Sequence, residues 1–305
     1  MARDPLLAVA AGKVDPEGND RKREEGRFFR GYYGDYCYLP MYVFCAEHLL
    51  AARLRTSNRD ASDGATEPLQ WLVQRIRAQW PKVRIIIRGD SAFARDDLMN
   101  YCEATPKLYY IFALAKNARL HRAIRKHLVK AKALYEKSAQ AARVYTEFRY
   151  RTLDTWSRSR RVIAKAEHLA KGANPRFVVT NLPGHEVHSQ QLYEDGYCPR
   201  GDMENRIKEQ QLDLFADRMS THTFRANQLR LYFCSLSYVL VSSLRRVGLK
   251  GTRMAKATWR ARHFADHIEQ QDRQSGMDDF GAQCPSLRFP CGQRHFVQRI
   301  TAPNA

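Results

Sequence analysis

The sequence predicts an α/β fold, and three observations carry that prediction. Short runs rich in aromatic and branched residues recur with strand character, the clearest being Val83 to Ile87 and Leu108 to Ala113. Between them lie segments with apolar residues at helical spacing, as in Pro68 to Trp80. A late apolar stretch, Ser220 to Arg246, is long enough to be a helix laid on the sheet. With 305 residues and 44% hydrophobic content, the chain can bury a core as one large domain or two small ones.

Residues 1–24 are polar and punctuated by Pro5, Gly12, Pro16 and Gly18, so an irregular segment is expected before Glu24. Gly34 and Asp35 then split two aromatic runs and predict a hairpin. Tyr36 to Phe44 reads as a strand buried on both faces, and His48 to Arg55 supplies a third strand. Tyr32, Tyr33, Tyr36, Tyr38 and Tyr42 are either core partners or a base-stacking surface. Leu69, Leu72, Val73, Ile76 and Trp80 mark a helix that opens near Pro68 and ends at Pro81. Val83 to Ile87 delivers Arg88, Gly89, Asp90 and Ser91 at its C-terminal end. A carboxylate there projects into the cleft above a sheet, and Gly89 lets a chain, ion or phosphate approach. Asp90 equally suits the cap of a helix beginning near Arg95.

Arg95 to Glu103 reads as a helix, Leu108 to Ala113 as a strand and His121 to Ser138 as a basic helix. Val144 to Arg151, Arg161 to Ala166 and Arg176 to Thr180 read as strands. Ser220 or Thr221 suits the cap of the last helix. Leu229 to Val241 is apolar on nearly all sides, which predicts burial, and Arg245, Arg246 and Gly248 mark the end. From about Trp259 no period is visible.

Net charge is +19, which points to a polyanionic partner, most often nucleic acid. The excess is concentrated: His121 to Lys171 holds 14 Lys/Arg against 4 Asp/Glu. The seven cysteines show no CxxC pair and no zinc-ligand spacing, which suits a reducing compartment. No apolar run is long enough to span a bilayer. Trp156 sits beside three basic residues in DTWSRSRR and reads either as a base-stacking side chain or as core.

Tyr193 to Arg218 opens as a loop and becomes helical in composition. Arg200, Glu204, Lys208 and Gln211 fall on one stripe of that helix, and Met203, Ile207, Leu214 and Phe215 lie beside it facing a core. A carboxylate at the edge of a buried face, flanked by cations, suits a metal site. A solvated ladder with Glu204 and Lys208 as an i,i+4 pair is the alternative.

This segment resembles the C-terminal signature of bacterial insertion-sequence transposases of the DDE type, Tyr-x2-Arg-x3-Glu-x6-Lys. Tyr197, Arg200 and Glu204 match in type and spacing, while Gln211 stands where the lysine is expected and Lys208 is the nearest cation. RGDMENRIKEQQLDLFADRMSTHTFRANQLRLYF is similar to the insertion sequence 1380 group. So are EGRFFRGYYGDYCYLPMYVFC, IIIRGDSAFARDDLMNYCE, YYIFALAKNARL and RFVVTNLPG, and the likeness covers roughly Glu25 to Lys256.

The resemblance implies a ribonuclease-H-like mixed sheet flanked by helices over residues 25–250. It also implies a basic β-rich insertion at about 114–190 and a divergent tail over 251–305. The implied activity is DNA transposition, cutting and joining insertion-sequence ends by metal-dependent phosphoryl transfer. Acids from a first strand, a fourth strand and a late helix would hold Mg²⁺ or Mn²⁺, which take oxygen ligands. Asp90 and Glu204 are then metal ligands, and Tyr197 and Arg200 orient the scissile phosphate. Lys208, Trp156, Arg158, Arg160, Arg161, Lys116 and Asn117 are the expected contacts to double-stranded DNA, both element ends and target. A homodimer on DNA in a bacterial cytoplasm, near the nucleoid, completes the picture.

The first acid is the exception. In the resembled group it precedes the EGRFF-like stretch, and here Asp15, between Val14 and Pro16, is the doubtful candidate. The expectation is a truncated or decayed transposase with impaired catalysis. The alternatives are a catalytically dead DNA-binding remnant, or a nuclease or resolvase on the same fold.

Overall fold

Leu-Leu-Ala-Val-Ala-Ala near the N-terminus forms the strand around which the sheet is assembled. In the computed structural model, which describes residues 5–13, 24–219 and 221–252, this is β1 (Leu6–Ala11). The expectation of an irregular segment over residues 1–24 is therefore corrected at Leu6–Ala11. Only Val9 in this run is β-branched, and tertiary pairing supplies what local preference does not. β1 pairs antiparallel with β4 (Met41–Cys45) and parallel with β6 (Ile85–Gly89).

The remaining strands are β2 (Phe28–Arg30), β3 (Asp35–Cys37), β5 (His48–Arg53), β7 (Leu108–Leu114), β8 (Ala142–Tyr150), β9 (Arg160–Leu169), β10 (Gly172–Ala173) and β11 (Arg176–Thr180). One sheet runs β10-β9-β11-β7-β6-β1-β4-β5, with β8 added on β9. β1, β6 and β7 are mutually parallel, and the other pairings are antiparallel. β2 and β3 form the separate hairpin expected at Gly34, whose φ of +67° suits glycine. The basic stretch after β7 contributes its strands to this same sheet, because β11 pairs with β7 and β9 pairs with β11.

Side chains alternate across the sheet. Leu7, Val9, Met41, Val43, Ile85 and Ile87 point into one core layer. It is covered by α1 (Thr66–Gln79) through Leu69, Leu72 and Val73, and by α2 (Asp96–Ala104) through Leu98, Met99 and Cys102. Each such aliphatic side chain contributes about 1.5–3 kcal/mol on burial. The predicted basic helix is two helices, α3 (Ala118–Ala123) and α4 (Arg125–Ser138), parted at Ile124, whose φ/ψ of −105°/11° leaves the helical range. Leu120 and Ile124 are both fully buried in the same layer.

The opposite face presents Ala8, Ala10, Tyr42 and Phe44 to Met203, Ile207, Leu231 and Tyr238. Leu231 and Tyr238 belong to α7 (Phe224–Val247). The expectation that this helix is buried nearly all round is corrected. Leu229, Tyr232, Phe233 and Leu236 are more than half exposed, and only Asn227, Leu231 and Tyr238 are buried, a single seam along the helix. Its first turn is served by Thr223, whose Oγ1 accepts from Ala226 N, rather than by Thr221; Ser220 lies outside the described residues.

The chain divides into two compact units, Met1–Tyr238 and Val239–Ala305. In the second, the described residues finish α7 as expected, with the Gly248 and Leu249 amides both donating to Leu244 O.

Candidate functional site at the end of the central strands

β6 sets one side of the site. Its even-numbered residues share the face that carries Ile86, which packs with Ile111, Leu192 and Tyr193. Arg88 follows on that face, 5% exposed, and donates to Gly196 O at 3.1 Å and to Pro199 O at 3.2 Å. A charged donor on two carbonyls is worth about 1.5–3 kcal/mol per bond. These bonds fasten the end of β6 to the turn that leads into the Glu204 helix. Asp90 is next on the same face, half-buried and still extended. Its Oδ1 accepts from Ala92 N at 2.9 Å and so caps the short turn Ser91–Phe93, not the helix after Arg95. Gly89 is explained by packing: a Cβ there would lie 3.0 Å from Phe93 Cβ.

The other side is a broken helix. α5 (Ser189–Gln191) leads into a π-helical turn, Leu192–Tyr197, a 3₁₀ turn, Cys198–Arg200, and α6 (Gly201–Lys208). A second π-helical turn, Glu209–Asp213, follows. π-helical turns are rare and concentrate at functional sites. α6 buries Met203 and Ile207 against Ala8 and Ala10, leaving Glu204 and Lys208 exposed. Tyr197 is half-buried, its ring 5.7 Å from that of Tyr193. Arg200 lies in the 3₁₀ turn, and its side chain is outside the described part.

The end of β1 closes the third side. Gln211 Nε2 donates to Lys13 O at 3.0 Å. A Cβ on Gly12 would come within 2.8 Å of Gln211 Nε2 and 3.2 Å of Tyr42. Small residues at 8, 10 and 12 are thus what lets α6 approach β1. Gln211, which departs from the expected lysine, serves here as a strap between helix and strand. Burial pushes the Tyr33 phenol above its ordinary value, and the Asp90 carboxylate is among the charges that add to this. Lys13 Nζ lies 5.5 Å over the Tyr33 ring and 3.9 Å from the Asp35 carboxylate. Sequence reasoning missed the place of Arg88, Gly12, Lys13 and Asp35 in the site, and offered Tyr33 only as a core or base-stacking residue. The one legible signal was Arg88, a charge at the end of an otherwise apolar strand.

Several expected DNA contacts prove to be internal. Trp156 is 3% exposed, donates to Ala94 O at 3.2 Å and packs edge-on to Tyr150, so it cannot present a face to a base. Arg160 is 2% exposed and bound to Asp96 and Glu103. Arg161 is 9% exposed and holds Glu147 and two backbone carbonyls, Leu182 O and Val187 O. Arg158 and Lys116 are exposed, Arg158 lying 3.6 Å from Glu103. Asn117 caps α3, accepting from Leu120 N at 2.9 Å, and donates to the Tyr150 hydroxyl at 3.1 Å. We expect Asn117→Ala to cost about 1 kcal/mol of stability and Asn117→Asp to retain most of it, by urea denaturation. Exposed cations of the basic stretch line α3 and α4, at Arg122, Arg125, Lys126, Lys130, Lys132 and Lys137, and Arg143, Arg149, Arg151 and Lys171 are exposed as well.

Among the described residues, no group of three or more His, Cys, Asp or Glu could hold a metal ion. The face of β1 on Asp90's side carries Ala8 and Ala10, and continuing the register Val9↔Gly89 by one step sets Ala10 beside Asp90. Asp15 lies outside the described residues. Among the described cysteines, Cys37, Cys45, Cys102, Cys198 and Cys234 are free thiols. No described helix is long and apolar enough to cross a membrane.

Residues 22–263 match the family described as transposase DDE domain group 1. No curated protein matches the sequence. Among solved structures, the chain is similar to a piggyBac transposase synaptic complex with hairpin DNA, at 11% identity and a TM-score of 0.44. That match covers 98% of this chain and 58% of the other, so the chain spans well under two thirds of that protein's length.

Proposed function

Since the chain belongs to the transposase DDE domain group 1 family, we propose that it acts on double-stranded DNA as a transposase-type protein whose cutting and joining step is impaired. The observation that carries this is the pair of bonds from Arg88 to Gly196 O and Pro199 O. They fasten the segment bearing Asp90 to the one bearing Tyr197, Arg200 and Glu204, which supports a shared cleft for the proposed acids and the phosphate-orienting residues. The sheet supports the ribonuclease-H-like reading, because β1 is its first strand and Asp90 follows β6, its fourth in chain order. Members of such a family use divalent ions, yet the described residues offer alanine where a first-strand acid would stand beside Asp90. No step is therefore assigned to an ion here, and the reading closest to the geometry is a DNA-binding protein with an incomplete acid set. DNA affinity comes from the exposed cations of α3 and α4, through phosphate contacts that position rather than specify.

The test is a cutting and joining assay on linear duplex DNA carrying insertion-sequence ends, in Mg²⁺ and in Mn²⁺, run beside a filter-binding measurement. Salt-sensitive binding with little or no cutting is the expected result. Robust turnover that disappears in Asp15→Ala would mean that the acid set is complete after all.

A further inference from the structure

We infer that Lys116, Arg176 and Lys165 form a cationic ledge across the sheet that takes the phosphodiester backbone of DNA beside the Tyr197 turn. This rests on the DNA-binding reading above and adds the surface by which the strand would reach that turn.

The ledge follows from strand register. β9 and β11 set Lys165 directly opposite Arg176. The pair Phe177↔Leu114 puts Arg176 level with Ala115 and next to Lys116, just beyond β7. Arg176 and Lys165 lie two residues along from Val178 and Ile163, which pack with Leu192 and Tyr193, so these two share that face, with the Lys165 side chain only 13% exposed; Lys116 stands past the end of β7, one residue beyond the position level with Arg176. Two interstrand steps of about 4.8 Å make the row roughly 10 Å long. Lys165 Nζ sits 5.4 Å over the Tyr193 ring, and Tyr193 in turn contacts Tyr197.

Like charges directly opposite on adjacent strands destabilise a sheet. Glu167 offsets part of this, but it is 3% exposed and already shared by Lys165 at 2.8 Å, Arg143 at 2.8 Å and Asn174. Lys116 and Arg176 remain exposed at the open end of the row. Burial, with Arg176 and Lys165 nearby, pulls Lys116 below the ordinary lysine range. A polyanion relieves that repulsion, and its phosphates are the natural ligand for a row rather than a point of charge.

The experiment is binding of a linear duplex DNA to the full chain across a salt series. The proteins compared are wild type, Lys116→Ala/Arg176→Ala, Arg176→Lys and Lys82→Ala, a charge change on the turn before β6. The double variant should lower the slope of log K against log salt by about 1.8, at about 0.9 per lost phosphate contact. It should keep or raise the melting temperature, because a repulsive pair has gone. Arg176→Lys and Lys82→Ala should keep the wild-type slope. A wild type that is steeply salt-dependent, with an unchanged slope in the double variant, would overturn the ledge while leaving the DNA-binding reading intact. Wild-type binding with no salt dependence would overturn that reading and the ledge with it.

Discussion

Replacing Arg160 by alanine is expected to destabilise the protein by about 3–5 kcal/mol. The guanidinium donates to Glu103 Oε1 at 2.7 Å, Asp96 Oδ1 at 2.7 Å and Asn100 Oδ1 at 2.9 Å, and lies 5.4 Å over the Trp156 ring. Removing it takes the nearest cation from two carboxylates of low exposure, and Tyr110, which donates to the same Glu103 oxygen, loses its setting. Arg160→Lys should recover little, since an ammonium cannot bridge both acids in the planar fork that arginine provides. Equilibrium denaturation measures the loss, and near-neutral stability in Arg160→Ala would show that the network is not holding β9 to α2. Because the residue is internal, the effect on DNA affinity at temperatures well below unfolding should be small.

Ala10→Asp is the second large effect, and its size depends on the solution. Ala10 is 5% exposed, packed under Met203 and Ile207 and adjacent to Asp90 in register. A carboxylate there is buried, crowded and beside a like charge, so without divalent ions we expect a loss of about 3 kcal/mol or more. If position 10 is where the missing acid belongs, Mn²⁺ binds the folded state alone. It then restores stability by RT ln(1 + [Mn²⁺]/Kd), about 2.7 kcal/mol at a hundredfold excess over Kd. Melting curves of Ala10→Asp with and without Mn²⁺ decide the matter; Ala10→Asn, similar in size but uncharged, should show no such recovery.

Much of this molecule is legible in the sequence, and where it is not the reason is physical. β6, β7 and the β2–β3 hairpin were readable because branched or aromatic runs and Gly34 carry their own conformational preference. β1 was not, because its alanines say little locally, and its strand character comes from neighbours on both sides. The cations of β9 read as DNA contacts because their internal partners are distant: Asp96 is 64 residues from Arg160 and Glu103 is 57. α7 read as buried because its residues are apolar all round, whereas packing uses one seam. In the site itself, Asp90 and Glu204 stood out by motif and Arg88 as a charge ending an apolar strand, but what Arg88 and Gln211 fasten is visible only once the chain is folded.

The central claim is that the acids around Asp90 fall one short of a divalent-ion site. Calorimetric titration of the wild-type protein with Mn²⁺ tests it most directly. The account predicts no saturable site in the wild type and the appearance of one in Ala10→Asp. Saturable wild-type binding that Asp90→Asn and Glu204→Gln each abolish would contradict it.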